Sequence, residues 1–313
     1  MTQSSAISPP FENGHINVGL DRDDKKPVKL YYEKTGKGPI KLLLITGLGT
    51  PASGWDPVVE YFSKRPEYTI VAFDNRGAGY SDAPHGLYST SQMAHDALDL
   101  LDALGWHSDV NVAGISMGGM ISLELVHAAP KRFSSLVLTS TNAGRSPPQL
   151  VTMAFFARVL TILDPHLRLK FITEHLYPKS WLDQPAPPDT QFKTNRDFVA
   201  VTLKKQYVDI PMQPLHANIA QVWAALTHHV CSLRLAQIRD SQVPVLIVSG
   251  TDDQLVRHSA SHYMQRHLKC RMSVFEGSGH IIPSEQTMAY CGLVEELIRH
   301  GGGGRDEQQL TAT

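Results

Sequence analysis

Short runs of consecutive apolar residues alternate along the chain with longer stretches whose apolar positions fall three and four apart. Leu42 to Thr46, Thr69 to Phe73, Val110 to Ala113 and Ser135 to Thr139 are runs of the first kind. They read as strands buried on both faces. Leu30 to Glu33 reads as an earlier strand that ends at the turn Thr35 to Pro39. Between these runs, Trp55 to Lys64, Ser91 to Leu104 and Gly119 to Ala129 have helical spacing. In the second of them Met93, Ala94, Ala97, Leu98, Leu101 and Leu104 mark the apolar face. The alternation stops after Thr141. It resumes with a strand at Val243 to Ser249, a helix at Ser259 to His267, a strand at Met272 to Phe275 and a closing helix at Ser284 to Arg299. Strands alternating with helices in this way predict an α/β fold with a mostly parallel, doubly wound sheet.

The interruption between Ser140 and Val243, about 100 residues, is too long for a bare loop in a compact domain. It holds helix-like stretches at Leu150 to Leu163, Phe192 to Tyr207 and Leu215 to Thr227, and a proline-rich joint from Pro178 to Pro188. The expectation is an inserted helical cap over the carboxyl edge of the sheet. The expected division is an N-terminal arm (1–27), a core (28–142 and 243–300), the cap (143–242) and a flexible tail (301–313).

Composition narrows the function. With 313 residues and 42% hydrophobic content, the chain can bury a substantial core. Its 29 basic and 30 acidic residues nearly cancel, and no block of like charge stands out, so nucleic acid is not an expected partner. Cys231, Cys270 and Cys291 are widely spaced and odd in number, which fits neither a disulfide framework nor a zinc site. No signal peptide or membrane-spanning run is evident, so a cytoplasmic location without membrane attachment is expected.

The chemistry concentrates at Gly114-Ile115-Ser116-Met117-Gly118. A serine with glycines at i−2 and i+2, between a strand and a helix, reads as a nucleophile elbow, with the hydroxyl exposed at the sheet edge. A serine hydroxyl needs a base, and the base needs an orienting group. Two places downstream suit these roles. Asp252-Asp253 follows the strand ending at Ser249, and His280 lies in the glycine-rich loop Gly277-Ser278-Gly279 after the strand ending at Phe275. A competing pattern, Gly47-Leu48-Gly49-Thr50-Pro51-Ala52 after a strand, fits a dinucleotide fingerprint. That reading leaves Ser116, His280 and the acidic pair unexplained, and an extended segment already precedes its strand.

With these residues in view, the chain resembles the α/β-hydrolases that carry a cap. Asp74-Asn75-Arg76-Gly77-Ala78-Gly79-Tyr80-Ser81 is similar to that family's Asp-x-Arg-Gly-x-Gly-x-Ser turn, Gly114 to Gly119 to its elbow, and Gly279-His280 to its histidine loop. The similarity runs from about Leu30 to Thr141 and from Val243 to Arg299 and does not cover the insertion. Within the family the likeness is to small-molecule esterases, such as aclacinomycin methylesterase, and to enol-lactonases. The resemblance implies Ser116 as nucleophile, His280 as base and Asp253 rather than Asp252 as the acid. It also implies an oxyanion hole from the backbone N–H groups of Leu48 and Met117. The chain departs from the family at Thr46, where the family usually has His. That His mostly organises the loop, so the departure bears on loop geometry, and the two backbone donors survive it.

The expected function is a serine hydrolase cleaving a small-molecule carboxylic ester or lactone through an acyl-enzyme, with no cofactor and no metal. The alternatives are a thioester or C–C substrate, acyl transfer to another acceptor, or a ligand-binding receptor on the same fold. Neither the substrate nor the oligomeric state is legible.

Overall fold

A computed structural model describes residues 11–22, 26–144, 150–188, 190–207, 210–211 and 213–301. Its eight strands are β1 (Phe11–Val18), β2 (Val28–Gly36), β3 (Ile40–Ile45), β4 (Tyr68–Phe73), β5 (Val110–Ile115), β6 (Phe133–Thr139), β7 (Val245–Gly250) and β8 (Arg271–Phe275). They form one sheet in the order β1-β2-β4-β3-β5-β6-β7-β8. β1 and β2 are antiparallel to their neighbours, and the other pairings are parallel.

Side-chain alternation explains why the strand runs are apolar throughout. Leu43 and Ile45 of β3 join one core cluster, and Leu42 and Leu44 join the other. On the first face the sheet meets α2 (Thr90–Ala103), α3 (Met117–Ala128), α9 (Ser232–Asp240) and α10 (His258–Leu268), through residues such as Leu101, Ile121, Leu235 and Met264. On the second it meets α1 (Asp56–Ser63), α11 (Ile282–Glu285) and α12 (Thr287–His300), through Phe62, Ile282, Tyr290 and Val294.

Two features differ from the sequence expectation. Residues 11–18, expected to belong to an arm, form β1 and pair with β2 from Phe11↔Thr35 to Val18↔Val28. Of its eight residues only Val18 is buried, so the strand carries no apolar alternation to reveal it. It is a polar edge strand. Second, the span 143–242 holds two kinds of helix. α4 (Leu150–Thr161), α5 (Pro165–Leu176), α6 (Lys179–Leu182) and α7 (Asn195–Tyr207) precede α8 (Leu215–Thr227) and α9. Phe155, Ile172, Leu176, Leu182, Val199 and Leu203, from the first four of these, form a separate small core. By contrast, Leu235 and Ile238 of α9, with Ala220 and Ala224 of α8, belong to the main core. So α9 flanks the sheet, and it lies inside the segment expected to be cap.

Strand order determines where a crevice can form. The chain leaves β3 toward β4 on one side and returns to β5 on the other, so a crevice lies beyond the carboxyl ends of β3 and β5. Ile45 is level with Gly114, and Gly250 with Phe275. The loop after β3 therefore lies beside the turn after β5, and the loops after β7 and β8 lie side by side.

Candidate active site

Ser116 sits between the end of β5 and the start of α3 with φ 56° and ψ −122°. For a residue with a side chain this is a strained conformation. The surroundings hold it there: Ser116 N–H donates to Thr139 O at 2.9 Å, and Ser116 O accepts from Thr141 Oγ1 at 2.7 Å. The flanking glycines are needed for close approach. A Cβ on Gly114 would lie 2.3 Å from Gly118 O, and one on Gly118 would lie 2.1 Å from Ile45 O. The elbow is thus pressed between the helix it starts and the strand beside it.

The structure brings His280 together with Asp253, not with Asp252. His280 Nδ1 lies 2.8 Å from Asp253 Oδ2, and both side chains are almost fully buried. Asp252 is exposed. Asp253 Oδ1 accepts from the N–H groups of Leu255 and Val256 at 2.8 and 3.0 Å, which fixes the carboxylate plane. Facing a carboxylate, Nδ1 carries the ring proton, leaving the Nε2 lone pair for the cavity. The histidine loop is anchored as well: His280 N–H donates to Leu176 O at 2.9 Å. A Cβ on Gly279 would lie 2.7 Å from that same oxygen.

Leu48 and Met117, the expected oxyanion donors, both line the cavity that contains Ser116 and His280. Met117 opens α3, where the first backbone N–H groups have no partner within the helix. Leu48 lies in the turn Gly47 to Thr50, closed by Thr50 N–H to Gly47 O at 3.3 Å. The ends of this loop are tied to the Asp74 segment: Asn75 Nδ2 donates to Thr46 O at 3.2 Å, and Ala52 N–H donates to Asp74 Oδ1 at 2.6 Å. Asp74 Oδ2 also accepts from Tyr80 N–H at 2.7 Å. Burial pushes the Asp74 carboxyl up to about 6 against those bonds. Arg76 forms a two-pronged buried pair with Asp96, at 2.6 and 2.7 Å. The Asp74 turn therefore serves as scaffold, and the glycine loop once readable as a dinucleotide fingerprint is a wall of the Ser116 cavity.

Two residues at the site carried no sequence expectation. Glu285 of α11 is 8% exposed, and its two oxygens accept from Gly279 N–H at 3.0 and 2.9 Å. Burial raises its carboxyl to about 8, with the nearby Asp253 charge adding to the effect. Gln221 of α8 is fully buried and accepts from Gly49 N–H at 2.7 Å.

The cavity measures roughly 240 Å³, slightly below the ~300–1,000 Å³ common for small-molecule sites. Its walls are mainly apolar, with Phe155, Phe156, Val159, Leu203 and Leu255 among them. Among the described residues, Arg168 and His280 are those lining it that can bear positive charge, and no Asp or Glu lines it. His258 and His262 are neighbours on α10, and among the described residues no cluster of three His, Cys, Asp or Glu suits a metal. Among the described residues, too, no helix is long and apolar enough to cross a membrane.

Comparison with known proteins agrees with this architecture. The 3-oxoadipate enol-lactonase 2 of Acinetobacter baylyi is 26% identical over 282 residues, covering 87% of this chain and 94% of that protein. A thermophilic esterase from Thermogutta terrifontis superposes with a TM-score of 0.75 at 20% identity, over 92% of this chain and 99% of its own. The enol-lactonase from Burkholderia xenovorans gives 0.72 at 22% identity, over 87% and 97%. The family model described as serine aminopeptidase, S33, matches residues 40–287. The chain belongs to that family of α/β-hydrolases, and it is a hydrolase.

Proposed function

We propose that this hydrolase cleaves a small-molecule carboxylic ester or lactone by way of an acyl-enzyme on Ser116. The observation that carries the reading is the buried Asp253–His280 pair at 2.8 Å, in a cavity that His280 shares with the strained Ser116. In this mechanism His280 Nε2 takes the Ser116 proton as Oγ attacks the carbonyl carbon. The oxyanion formed is held by the Leu48 and Met117 N–H groups. His280, now protonated and steadied by Asp253, gives its proton to the departing alkoxide. A water then attacks the acyl-enzyme, with His280 again as base, and the acid leaves.

The walls favour a substrate with an apolar body. The enol-lactonase relative supports the same carbonyl class. We assign the helices between β6 and α9 the role of a cap over the site, because α4, α5, α7 and α8 all contribute to the cavity wall.

A fluorophosphonate probe should label the wild type at Ser116, and short p-nitrophenyl esters should be turned over. Ser116→Ala should abolish labelling and lower kcat by roughly 10⁴-fold or more. Folded wild-type protein that takes no label, or that binds esters without turnover, overturns the reading.

A further inference from the structure

Gly47 to Thr50 is a four-residue turn with Leu48 and Gly49 at its centre. Gly49, at the third position, has φ +65°. A positive φ there marks the type II form, and the type I form differs by a flip of the central peptide plane. That central peptide is Leu48–Gly49, directly after the N–H on which the proposed oxyanion hole depends. Its orientation decides where the Leu48 carbonyl and the Gly49 N–H point, and anchoring it fixes the Leu48 Cα, to which the preceding Gly47–Leu48 peptide and its N–H are joined.

The peptide is held from outside the turn. Gly49 N–H donates to Gln221 Oε1 at 2.7 Å. On its other edge, Leu48 O accepts from Thr50 Oγ1 at 3.3 Å, a longer bond made within the turn itself. Gln221 is well fixed. It is fully buried on the face of α8 that carries Ala217, Ala220 and Ala224, and its Nε2 donates to Arg76 O at 2.8 Å. Arg76 is in turn clamped by Asp96. Both ends of the amide are thus used, and it cannot rotate without leaving two buried groups unpaired. A Gln on an alanine-lined helix face, bridging two core loops, does more than fill space.

We infer that Gln221 is a positioning residue for the oxyanion hole. It anchors the Leu48–Gly49 peptide and so holds in place the adjoining Gly47–Leu48 peptide, which carries the Leu48 N–H, coupling the seating of α8 to transition-state stabilisation. This role rests on the ester-hydrolase reading above.

Gln221→Met keeps the length of the side chain and removes both hydrogen bonds. With p-nitrophenyl acetate, kcat should fall about 10- to 100-fold, somewhat less than the loss of an oxyanion donor outright, while KM stays within about threefold. Amide hydrogen exchange at Leu48 and Gly49 should speed up in the same variant. Gln221→Glu provides the second arm. As a neutral acid it has a carbonyl acceptor and an O–H donor, matching both ends of the amide. Its kcat relative to wild type should therefore rise as pH falls from 9 to 6. A folded Gln221→Met with kcat within twofold of wild type, with unchanged loop exchange, or with its effect confined to KM, overturns the role of Gln221 alone. If Gln221→Met does not fold, a pH-independent ratio for Gln221→Glu overturns it. Wild type that takes no fluorophosphonate overturns the ester reading, and this role with it.

Discussion

Asp252 and Asp253 are neighbours with identical side chains in opposite surroundings. Asp252 is exposed, whereas the Asp253 carboxylate is buried with three hydrogen-bond donors around it. Asp253→Asn should lower kcat by about 10³- to 10⁴-fold, since an amide facing Nδ1 favours the wrong tautomer of His280. Asp252→Asn should stay within about twofold, as an exposed substitution does. Steady-state kinetics of the two variants decide between them, and equal losses would remove Asp253 from its role. Glu285 makes a prediction about stability. Its carboxyl titrates near 8 when folded and at 4.5 as the ordinary value, so between those pH values the unfolded chain has shed a proton that the folded one keeps. Stability contributed by this group is therefore lost as pH rises from 4.5 to about 8. Glu285→Gln keeps an oxygen for Gly279 N–H and removes the titration. It should unfold like wild type near pH 4.5 and be more stable at pH 8 to 9 by at least about 1 kcal/mol, a tenfold change in proton affinity being worth about 1.4 kcal/mol. Denaturant melts at both pH values test this, and a difference that does not grow with pH refutes it. Ser116 and His280 were readable because glycines beside them announce local constraint. Glu285 was not, because its importance arises only where the chain reverses and α11 meets the histidine loop.

At the level of elements, the elbow and α12 give glycine opposite meanings. A Cβ on Gly118 would meet Ile45 O at 2.1 Å and Thr46 O at 2.6 Å, both backbone atoms of the neighbouring strand and its loop. Gly118→Ala should cost about 1–3 kcal/mol or more through overpacking, and should displace the loop that carries Leu48. Gly292, inside α12, has open space around its Cβ position. Gly292→Ala should stabilise by about 0.5–1 kcal/mol. Thermal unfolding of the pair checks the contrast in sign. The same level shows where patterning succeeds and fails. Strands β3 to β7 were legible because both of their faces are buried. β1 was not, because an edge strand with one buried residue has no apolar signature. α5 was hidden because it starts close behind α4, and the signal that separates them is a cap: Asp164 Oδ1 accepts from the His166 and Leu167 N–H groups at 2.8 and 3.1 Å, ahead of Pro165. In α8, the readable clue was a lone Gln among alanines at positions 217, 220, 221 and 224.

For the whole molecule, the sheet order turns separate motifs into one site. The segments after β3, β5, β7 and β8 lie far apart in sequence, and parallel pairing brings their carboxyl ends to one edge. That convergence follows from strand alternation and was legible. The wall opposite the sheet was not, because helices α4 to α7 pack by their own small core and carry no motif tied to the chemistry. One contact across this divide has a practical meaning. The N–H of His280 is satisfied by the carbonyl of Leu176, the last residue of α5. Chimeras that transplant a new insertion to change specificity must therefore deliver a main-chain acceptor at that place. The useful crossover point lies beyond residue 176, even though a boundary drawn at the end of β6 would look cleaner on the sequence.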